Sequence, residues 1–559
     1  GTVDNCGVER VAYLRGTATQ ENNSGTFTCA STSSINKFRV RSTTKLGDIV
    51  NSGPTYVSRP GAGYSNVDHP GYAAFKNEYK DRVPMVYVGA NDGILHGFNA
   101  CIAGVTAGCT TADAGKELFA YIPSQVYENL NRLSDKDYNT SHRYFADGSP
   151  MVGDIYSSTT SSWRSVLVGG LNGGGQGFYA LNITNPKDAS KSEPVFSEAN
   201  AANLLLWEFS NADDADMGYS YNQPQINPFT GQARQIVKME NGQWAVVVGN
   251  GYNSANGKAV LYILFFSAGE DGTWTAGTDY IKLVADSGSG NGLSTPTPFD
   301  SNGNGLADVI YAGDFKGNLW RFDVSSSLPS NWSVGIGGVP LFAAGTTKPI
   351  ISPPVISFHP KRGQLVMFGT GKYLETADTT STNGQSFYGI WDLNTTATIT
   401  SGMLVQQVMT DSTSRTATQN TVTYSNTIKG WYINLPVSGE RLTGVPAIED
   451  GILVFNTIVP SASPCDFGGR GFVNAVDFLS GAMLNKPAFD YTRNRVLSIE
   501  DGLSAGIEIG FSVGGVTRIR GGVDDMLISS TADGTLVQTT TAKGQSGLRG
   551  RITWREFVQ

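Results

Sequence analysis

The stretch STPTPFDSNGNGLADVIYAGDFKGNLWRFD, residues 294–323, contains the pattern that decides the fold. It opens with a segment that carries two prolines and continues, after a polar loop, into the apolar strand Val309-Ile310-Tyr311-Ala312-Gly313. A glycine turn then leads into an alternating strand at 317–323. Because short strands joined by glycine turns pair as antiparallel hairpins, the stretch predicts one small antiparallel sheet.

The same order of a proline segment and an apolar strand recurs along the chain. The prolines stand at positions 54, 150, 224, 296, 354 and 446. The apolar strands that follow them usually end in glycine and occupy 85–89, 166–169, 245–249, 309–313, 365–369 and 452–456. A degenerate seventh unit has 511–515 in place of the proline segment and 526–529 as its strand. A turn and a third strand are clearest at 91–98, 317–323 and 533–537.

Seven such units predict an all-β fold, a modified seven-bladed β-propeller with long inter-strand insertions and a short helix. Proline cannot donate to a strand ladder, so it belongs on an edge strand such as the innermost strand of a blade. Apolar spacing at 118–133 predicts the short helix, with Pro123 at its start. The Thr-, Ser- and Asn-rich stretch 376–428 predicts a long exposed excursion. We place an N-terminal segment at 1–45 and the propeller at 46–559.

The composition agrees with a β-rich protein and excludes other classes. The chain has 559 residues with 68 glycines, and only 16% of its residues are charged, which favours short strands over long helices. The formal net charge of -8 argues against a nucleic-acid-binding protein, which needs a basic surface. No apolar run reaches the roughly 20 residues of a transmembrane helix. The run at 259–266 has only the length of a strand.

The cysteines and the polar inserts around them are typical of an extracellular protein. We expect two local disulfides, Cys6–Cys29 and Cys101–Cys109, and a buried free thiol at Cys465. The chain opens without the charged and then apolar segment of a secretory signal. We therefore expect a mature fragment, or the C-terminal part of a longer exported protein whose signal lies upstream.

Residues 300–308 match the front of an EF-hand-type calcium loop. Oxygen-bearing side chains occupy its first, third, fifth and ninth positions, glycine occupies the sixth, and the carbonyl of the seventh supplies a further oxygen. The predicted Ca²⁺ ligands are Asp300, Asn302, Asn304, the Leu306 carbonyl and Asp308. An Asx-rich hairpin turn is the alternative, because tight turns use the same residue types. A hairpin needs far fewer residues, so we predict a metal site.

Several segments resemble the C-terminal domain of PilY/PilC-type type IV pilus biogenesis factors and pilus tip-associated adhesins. They include LGDIVNSGP at 46–54, GKELFAYIP at 115–123, HRYFADG at 142–148, the glycine-rich 166–181, and 244–263 with its GNGY motif. The likeness is strongest from 38 to 325. It implies a seven-bladed propeller on an exported protein of a Gram-negative bacterium, located at the pilus tip or outer-membrane surface. It also implies calcium binding at the loop 300–308.

The resemblance implies a non-enzymatic function with no catalytic residues and no organic cofactor. We expect a calcium-binding component that supports pilus extension against retraction, twitching motility and surface adhesion. Its expected partners are minor pilins and the pilus tip complex, with host or abiotic surface receptors as further candidates. Many full-length members carry a von Willebrand-type domain, but the segment 411–415 departs from its metal motif at two positions. Asn302 replaces a frequent Asp, which predicts weaker calcium binding.

Two alternatives come from other functional classes. Quinoprotein dehydrogenases are also propellers with a calcium ion, but they usually show regular tryptophan repeats and, in many members, adjacent cysteines. The nine tryptophans of this chain do not recur at one blade position, and its five cysteines are not adjacent. An adhesin without calcium regulation is the second alternative, and the sequence does not select its anchor residues.

Three further features are interpreted as structural. Asp213, Asp214 and Asp216 form an acidic cluster, which we interpret as a solvated loop, with a second metal site as the alternative. The glycine-rich 172–177 is interpreted as a hairpin turn, because no Lys-Ser or Lys-Thr follows it as in a phosphate-binding loop. The four histidines are scattered among different units. They predict no catalytic or metal cluster.

Overall fold

A computed structural model describes residues 6–21, 38–41, 44–106, 109–227, 230–393, 395–461, 469–492, 494, 496–510, 513–519, 525–531 and 536–541. Helices are few and short: Gly7–Leu14 (α1), Tyr72–Glu78 (α2), Ala201–Leu204 (α3) and Gly335–Gly338 (α4). Within these ranges, no helix has the length and apolar character needed to cross a membrane. The chain divides into two compact units, Gly1–Lys282 with Gly288–Gly292, and Leu283–Ser287 with Leu293–Gln559.

The described residues of the first unit form three antiparallel sheets of four strands each, with the strand orders β1-β2-β3-β4, β5-β6-β7-β8 and β12-β11-β10-β9. The last four residues of β12 are assigned to the second unit. The first sheet is formed by Thr55–Val57 (β1), Met85–Gly89 (β2), Leu95–Asn99 (β3) and Glu117–Tyr121 (β4). The second is formed by Met151–Ser157 (β5), Ser162–Gly170 (β6), Gly177–Asn182 (β7) and Leu205–Ser210 (β8). The third is formed by Ile236–Lys238 (β9), Trp244–Gly249 (β10), Ala259–Phe265 (β11) and Tyr280–Asp286 (β12).

The second unit contains four sheets in its described residues. The first comprises Thr297–Phe299 (β13), Val309–Gly313 (β14), Asn318–Asp323 (β15), Ser333–Val334 (β16) and Phe342–Ala343 (β17). The second comprises Val355–Phe358 (β18), Gln364–Gly369 (β19), Ser386–Asp392 (β20), Leu404–Val408 (β21) and Gly430–Asn434 (β23). The third comprises Ser414–Arg415 (β22), Arg441–Leu442 (β24), Ala447–Glu449 (β25), Ile452–Val459 (β26), Arg470–Asp477 (β27) and Gly506–Glu508 (β28). Val513–Ile519 (β29), Asp525–Thr531 (β30) and Leu536–Thr541 (β31) form the fourth.

The predicted repeat agrees with these sheets. All seven predicted apolar strands lie inside a sheet with a partner on each side, as β2, β6, β10, β14, β19, β26 and β30. The prolines also lie where the ladder tolerates them, because β1, β5 and β18 directly follow a proline and β13 contains one, and each is an edge strand. The seven sheets match the number of predicted units.

The core of each unit lies between consecutive sheets. In the first unit, Val166 and Trp207 pack with Val246 and Tyr262 of the next sheet, all of them nearly inaccessible to solvent. In the second unit, apolar side chains of β14 meet those of β19 and β20, and those of β19, β20 and β23 meet β26. Buried alternate positions of neighbouring sheets therefore supply the apolar area that stabilises the fold.

The helix predicted at 118–133 is partly wrong. Its first residues form β4, which pairs antiparallel with β3, and the helical part is the 3₁₀-helix Ser124–Ser134. Pairing with the free edge of β3 overrides the local helical spacing in this segment. Pro123 has an extended backbone and directly precedes the first helical turn, as predicted for the start.

The exposed excursion predicted at 376–428 is also wrong. This range contains β20, whose seven residues are all buried between β19 and β23. It also contains β21, which runs parallel to β23. The polar average of the stretch conceals a short apolar run that includes Phe387, Ile390 and Trp391.

One of the two predicted disulfides is confirmed, since Cys101 and Cys109 are bonded across a separation of eight residues. Cys6 is buried and disulfide-bonded. Cys29 lies outside the described residues, and so does Cys465. The predictions for those two positions therefore stay predictions.

Candidate metal centre

The loop 300–308 connects β13 to β14 at one end of a sheet in the second unit. Below it, Phe299 of β13 pairs with Val309 of β14. The backbone N–H of Asp308 donates to the Phe299 carbonyl at 3.2 Å, which closes the base of the loop. Both ends of the nine residues are therefore anchored to paired strands.

The carboxylate of Asp300 organises the first half of the loop. Its Oδ1 accepts a hydrogen bond from the backbone N–H of Gly303 at 2.6 Å, and its Oδ2 accepts one from Gly305 at 2.7 Å. A carboxylate that accepts several backbone N–H groups is held at the inside of the turn. The chain consequently folds around the first predicted ligand.

The two asparagines continue this arrangement. Oδ1 of Asn302 accepts from the N–H of Asn304 at 3.0 Å, and Oδ1 of Asn304 accepts from the N–H of Leu306 at 2.8 Å. Gly303 and Gly305 have φ angles of +81° and +86°, which L-residues rarely adopt. The glycine at the sixth position is thus required by the backbone of the loop.

Asp308 is the most buried of the predicted ligands, with 5% of its surface exposed. Its carboxylate accepts hydrogen bonds from the backbone N–H of Ser301 at 3.0 Å and from its hydroxyl at 2.9 Å. Burial raises the pKa of Asp308, and the nearby charge of Asp300 raises this pKa further. Within the described part of the chain, no Lys, Arg or His forms an ion pair with either carboxylate.

The donor set of this loop suits a hard cation. Two carboxylates, two amide oxygens and the Leu306 carbonyl are the oxygen ligands that Ca²⁺ takes, completed by water. The described residues bring together no group of three or more His, Cys, Asp or Glu side chains that could hold a metal. A site at 300–308 would therefore depend on amide, carbonyl and water oxygens beside its two carboxylates.

The acidic cluster Asp213, Asp214 and Asp216 is arranged differently. Lys282 on β12 places its Nζ 2.7 Å from Asp214 and 2.6 Å from Asp216. Burial opposes ionisation of both aspartates, but the hydrogen bonds and charge of Lys282 hold the pKa of each below its ordinary value. The solvated loop interpreted from the sequence is wrong for Asp216, which is 2% exposed.

The segment 411–415 has a structural role in the second unit. Arg415 on β22 and Glu440 form a fully buried ion pair, with Nη1 of Arg415 at 2.6 Å from Oε1 of Glu440. Nη1 also donates to Oδ1 of Asn474 on β27 at 3.2 Å. This network ties β22 to β27 and to the residue before β24 within one sheet.

The glycine-rich turn and the histidines agree with their structural interpretation. Residues 172–177 connect the antiparallel strands β6 and β7. His96 contacts the carboxylates of Asp92 and Glu117, whereas His142 contacts that of Asp48. The two imidazoles therefore share no carboxylate partner. His359 packs between Trp391, at a tilted angle, and Tyr424, edge to face.

The sequence did not predict a cavity in the first unit that is lined by His69, Trp163 and Trp244. These residues lie far apart in the sequence and converge only when β6 packs beside β10. The signal in the sequence is that a tryptophan lies shortly before each of two predicted apolar strands, Trp163 before 166–169 and Trp244 before 245–249.

These sheets, with their edge-strand prolines, define a β-propeller domain with an acidic inter-strand loop. A family model described as "PilY1 beta-propeller domain" matches residues 46–421. The chain belongs to this family. This family match, together with the structural match given below, supports the predicted propeller class. The type IV pilus relatives give no support to the alternative of a quinoprotein dehydrogenase.

Curated relatives agree with this assignment. The chain is 34% identical to "Type IV pilus biogenesis factor PilY1" of Pseudomonas aeruginosa strain PAK, over 88% of this chain and 42% of that protein. It is 32% identical to a PilY1 homolog of Xylella fastidiosa, over 99% of this chain and 41% of that protein. The chain thus spans less than half the length of these relatives.

A solved structure shows the same fold. The crystal structure of the Pseudomonas aeruginosa PilY1 C-terminal domain matches with a TM-score of 0.67 and 31% sequence identity. The match covers 88% of this chain and all of that domain. The chain is accordingly a relative of type IV pilus biogenesis factors.

Proposed function

We propose that this chain is a calcium-responsive, non-enzymatic component of a type IV pilus, which supports pilus extension against retraction, twitching motility and surface adhesion. The observation that carries the calcium proposal is the pair of carboxylates at Asp300 and Asp308. Asp308 is buried, its pKa is raised, and no cationic side chain of the described chain neutralises it. A bound divalent cation would supply the missing charge.

The loop residues would hold the cation in named roles. Asp300 and Asp308 supply charge, Asn302 and Asn304 supply amide oxygens, and Leu306 supplies its carbonyl. Calcium would neutralise the repulsion between the two carboxylates. Because β13 and β14 are already paired below the loop, binding alters the loop surface and leaves the sheet unchanged.

This arrangement gives the pilus a surface that responds to calcium. A partner that contacts the calcium-bound loop more tightly than the calcium-free loop shifts the loop toward its bound form. We propose minor pilins of the pilus tip as this partner. The proposed location is extracellular, at the pilus tip or outer-membrane surface, and the Cys101–Cys109 disulfide supports an oxidising compartment.

Calorimetric titration with CaCl₂ tests the site. We expect Asp300→Asn and Asp308→Asn each to weaken calcium binding by about a hundredfold, because each removes a charged ligand. Asp271→Asn is the matched control, since Asp271 is also a turn carboxylate that accepts a backbone N–H, from Thr273 at 2.8 Å. Equal calcium affinity in the loop variants and the control would refute the site.

Pilus counts and twitching assays test the regulatory part. Bacteria that express the full-length protein with Asp300→Asn should show fewer extended pili and less twitching, and both should cease to depend on calcium concentration. Bacteria with Asp271→Asn should behave as wild type. Normal motility of the Asp300→Asn strain at every calcium concentration would refute regulation even if calorimetry confirms binding.

A further inference from the structure

A cavity of about 380 Å³ opens in the first unit between two neighbouring sheets. Its walls come from cross-strand pairs: Tyr156 of β5 pairs with Trp163 of β6, and Lys238 of β9 pairs with Trp244 of β10. The segment before α2 contributes His69. The volume lies within the range of small-molecule sites in proteins.

Aromatic rings form one side of this cavity. The indoles of Trp163 and Trp244 meet edge to face with their centroids 5.8 Å apart, and His69 lies 6.0 Å from the first and 6.1 Å from the second. Tyr156 packs on Trp163 and is 38% exposed at the open side. Trp163 and Trp244 are each 6% exposed and Tyr64 packs against both, so the two indoles are fixed in place and Tyr156 supplies most of the aromatic surface that a ligand can reach.

Polar groups of both signs form the other side. Asp68 and Lys238 both line the cavity, and the Asp68 carboxylate is held by a 2.9 Å hydrogen bond from the Ser65 hydroxyl. The buried Nδ1 of His69 has no hydrogen-bond partner among the described residues. Burial lowers the pKa of His69, the charge of Lys238 lowers it further and that of Asp68 opposes them, so the neutral imidazole is favoured. The lining therefore combines an apolar face with hydrogen-bonding groups of little net charge.

We infer that this cavity binds a neutral sugar unit, such as a hexose at the end of a glycan. A pyranose offers a C–H face that packs on aromatic rings and hydroxyls that both donate to Asp68 and accept from Lys238. A quaternary ammonium would also pack on the rings, but it offers Lys238 no hydrogen-bond acceptor. An anionic carboxylate or phosphate group likewise offers the Asp68 carboxylate no hydrogen-bond donor. A small polyhydroxyl ring fits both sides.

Saturation-transfer NMR with methyl glycosides of glucose, galactose, mannose and N-acetylglucosamine tests this inference. The chain is kept in EDTA, so that the outcome does not depend on the calcium loop. We expect transfer to the ring protons of at least one glycoside. Tyr156→Ala should weaken its binding about tenfold, because it removes one stacking ring. Tyr156→Phe should retain the binding.

Tyr127→Ala is the matched control, because Tyr127 is a 58% exposed tyrosine of the same unit outside the cavity. It should bind the glycoside as the unchanged chain does. Asp68→Asn gives a second variant at an exposed position and should also weaken binding. The inference is overturned by the absence of transfer to all four glycosides, by equal binding in Tyr156→Ala and Tyr127→Ala, or by displacement of the sugar by tetramethylammonium chloride.

Discussion

The acidic cluster at Asp214 and Asp216 and the acidic loop at Asp300 and Asp308 look alike in sequence and differ in how their charge is balanced. In the first unit, Lys282 lies within 2.7 Å of Asp214 and within 2.6 Å of Asp216. In the second unit, no cationic side chain of the described chain pairs with the loop carboxylates. The pKa of each aspartate in the cluster is lowered, whereas that of Asp308 is raised.

This difference shows what separates a structural acidic cluster from a candidate cation site. A group of carboxylates that already has a lysine needs no metal, and its burial is compensated inside the chain. A buried carboxylate beside a second one, without such a lysine, favours a proton or an external cation. Counting acidic residues in a sequence does not distinguish the two cases.

Replacing the internal cation should produce the largest effect. We expect Lys282→Met to lower the free energy of unfolding by about 3 kcal/mol, because it leaves Asp214 without a counter-charge and leaves the buried Asp216 with Lys258 alone, at 3.3 Å. Urea denaturation followed by tryptophan fluorescence measures the change. Lys316→Met is the control, since Lys316 forms a single ion pair with Asp286 that is more exposed to solvent. This substitution should lower the free energy of unfolding by less than about 1 kcal/mol. Equal losses in both variants would remove the distinction drawn between the two regions.

Adding a carboxylate to the loop should produce the next largest effect. We expect Asn302→Asp to strengthen calcium binding by about tenfold, because affinity in such loops rises with ligand charge. Without calcium the same variant should be less stable than the unchanged chain, because three carboxylates then repel one another. Calorimetry and thermal unfolding with and without CaCl₂ measure both changes. A variant with unchanged affinity would argue that residue 302 is not a ligand.

The backbone of the loop gives a smaller effect. Gly305→Ala should lower stability by about 1 kcal/mol, because alanine is strained at the observed φ of +86°. No atom lies within 4 Å of the added Cβ, so the cost comes from the backbone alone. Gly402→Ala is the matched control, with equally open space and no positive φ. Thermal unfolding of the two variants should differ, and equal melting temperatures would contradict this reading of the loop.

The smallest expected effect is a dependence of calcium affinity on pH. The pKa of Asp308 is raised above its ordinary value of 3.8, so a proton competes with calcium for this carboxylate. Calcium affinity should be highest at neutral pH and should fall as the pH drops through the raised pKa of Asp308. The stability of the calcium-free chain should depend on pH in the opposite direction. Its folded state binds the Asp308 proton more tightly than the unfolded state does, so the stability that this proton contributes at low pH is lost as the pH rises. Calorimetric titrations from neutral to acidic pH measure the affinity.

The sequence predicted the repeat and the loop, because both depend on local chemistry. Strands such as β10 and β14 have continuous apolar runs that end in glycine, and Gly305 stands where a left-handed turn needs it. The sequence did not predict the lysine partners of Asp216, since Lys258 and Lys282 lie 42 and 66 residues later and reach it only through the strand order. It failed for β4 and β20 because pairing with a neighbouring strand overrides local spacing and composition.

The buried pair of Arg415 and Glu440 decides which inserts of this chain can be removed. Both side chains are fully buried, and Arg415 belongs to an insert whereas Glu440 precedes β24. Deleting the segment that carries β22 would leave Glu440 as a lone charge in the interior. A shortened protein would therefore need Glu440 replaced by an apolar residue in the same step, whereas the hairpin loop at 300–308 could be exchanged for a short turn without such a companion change.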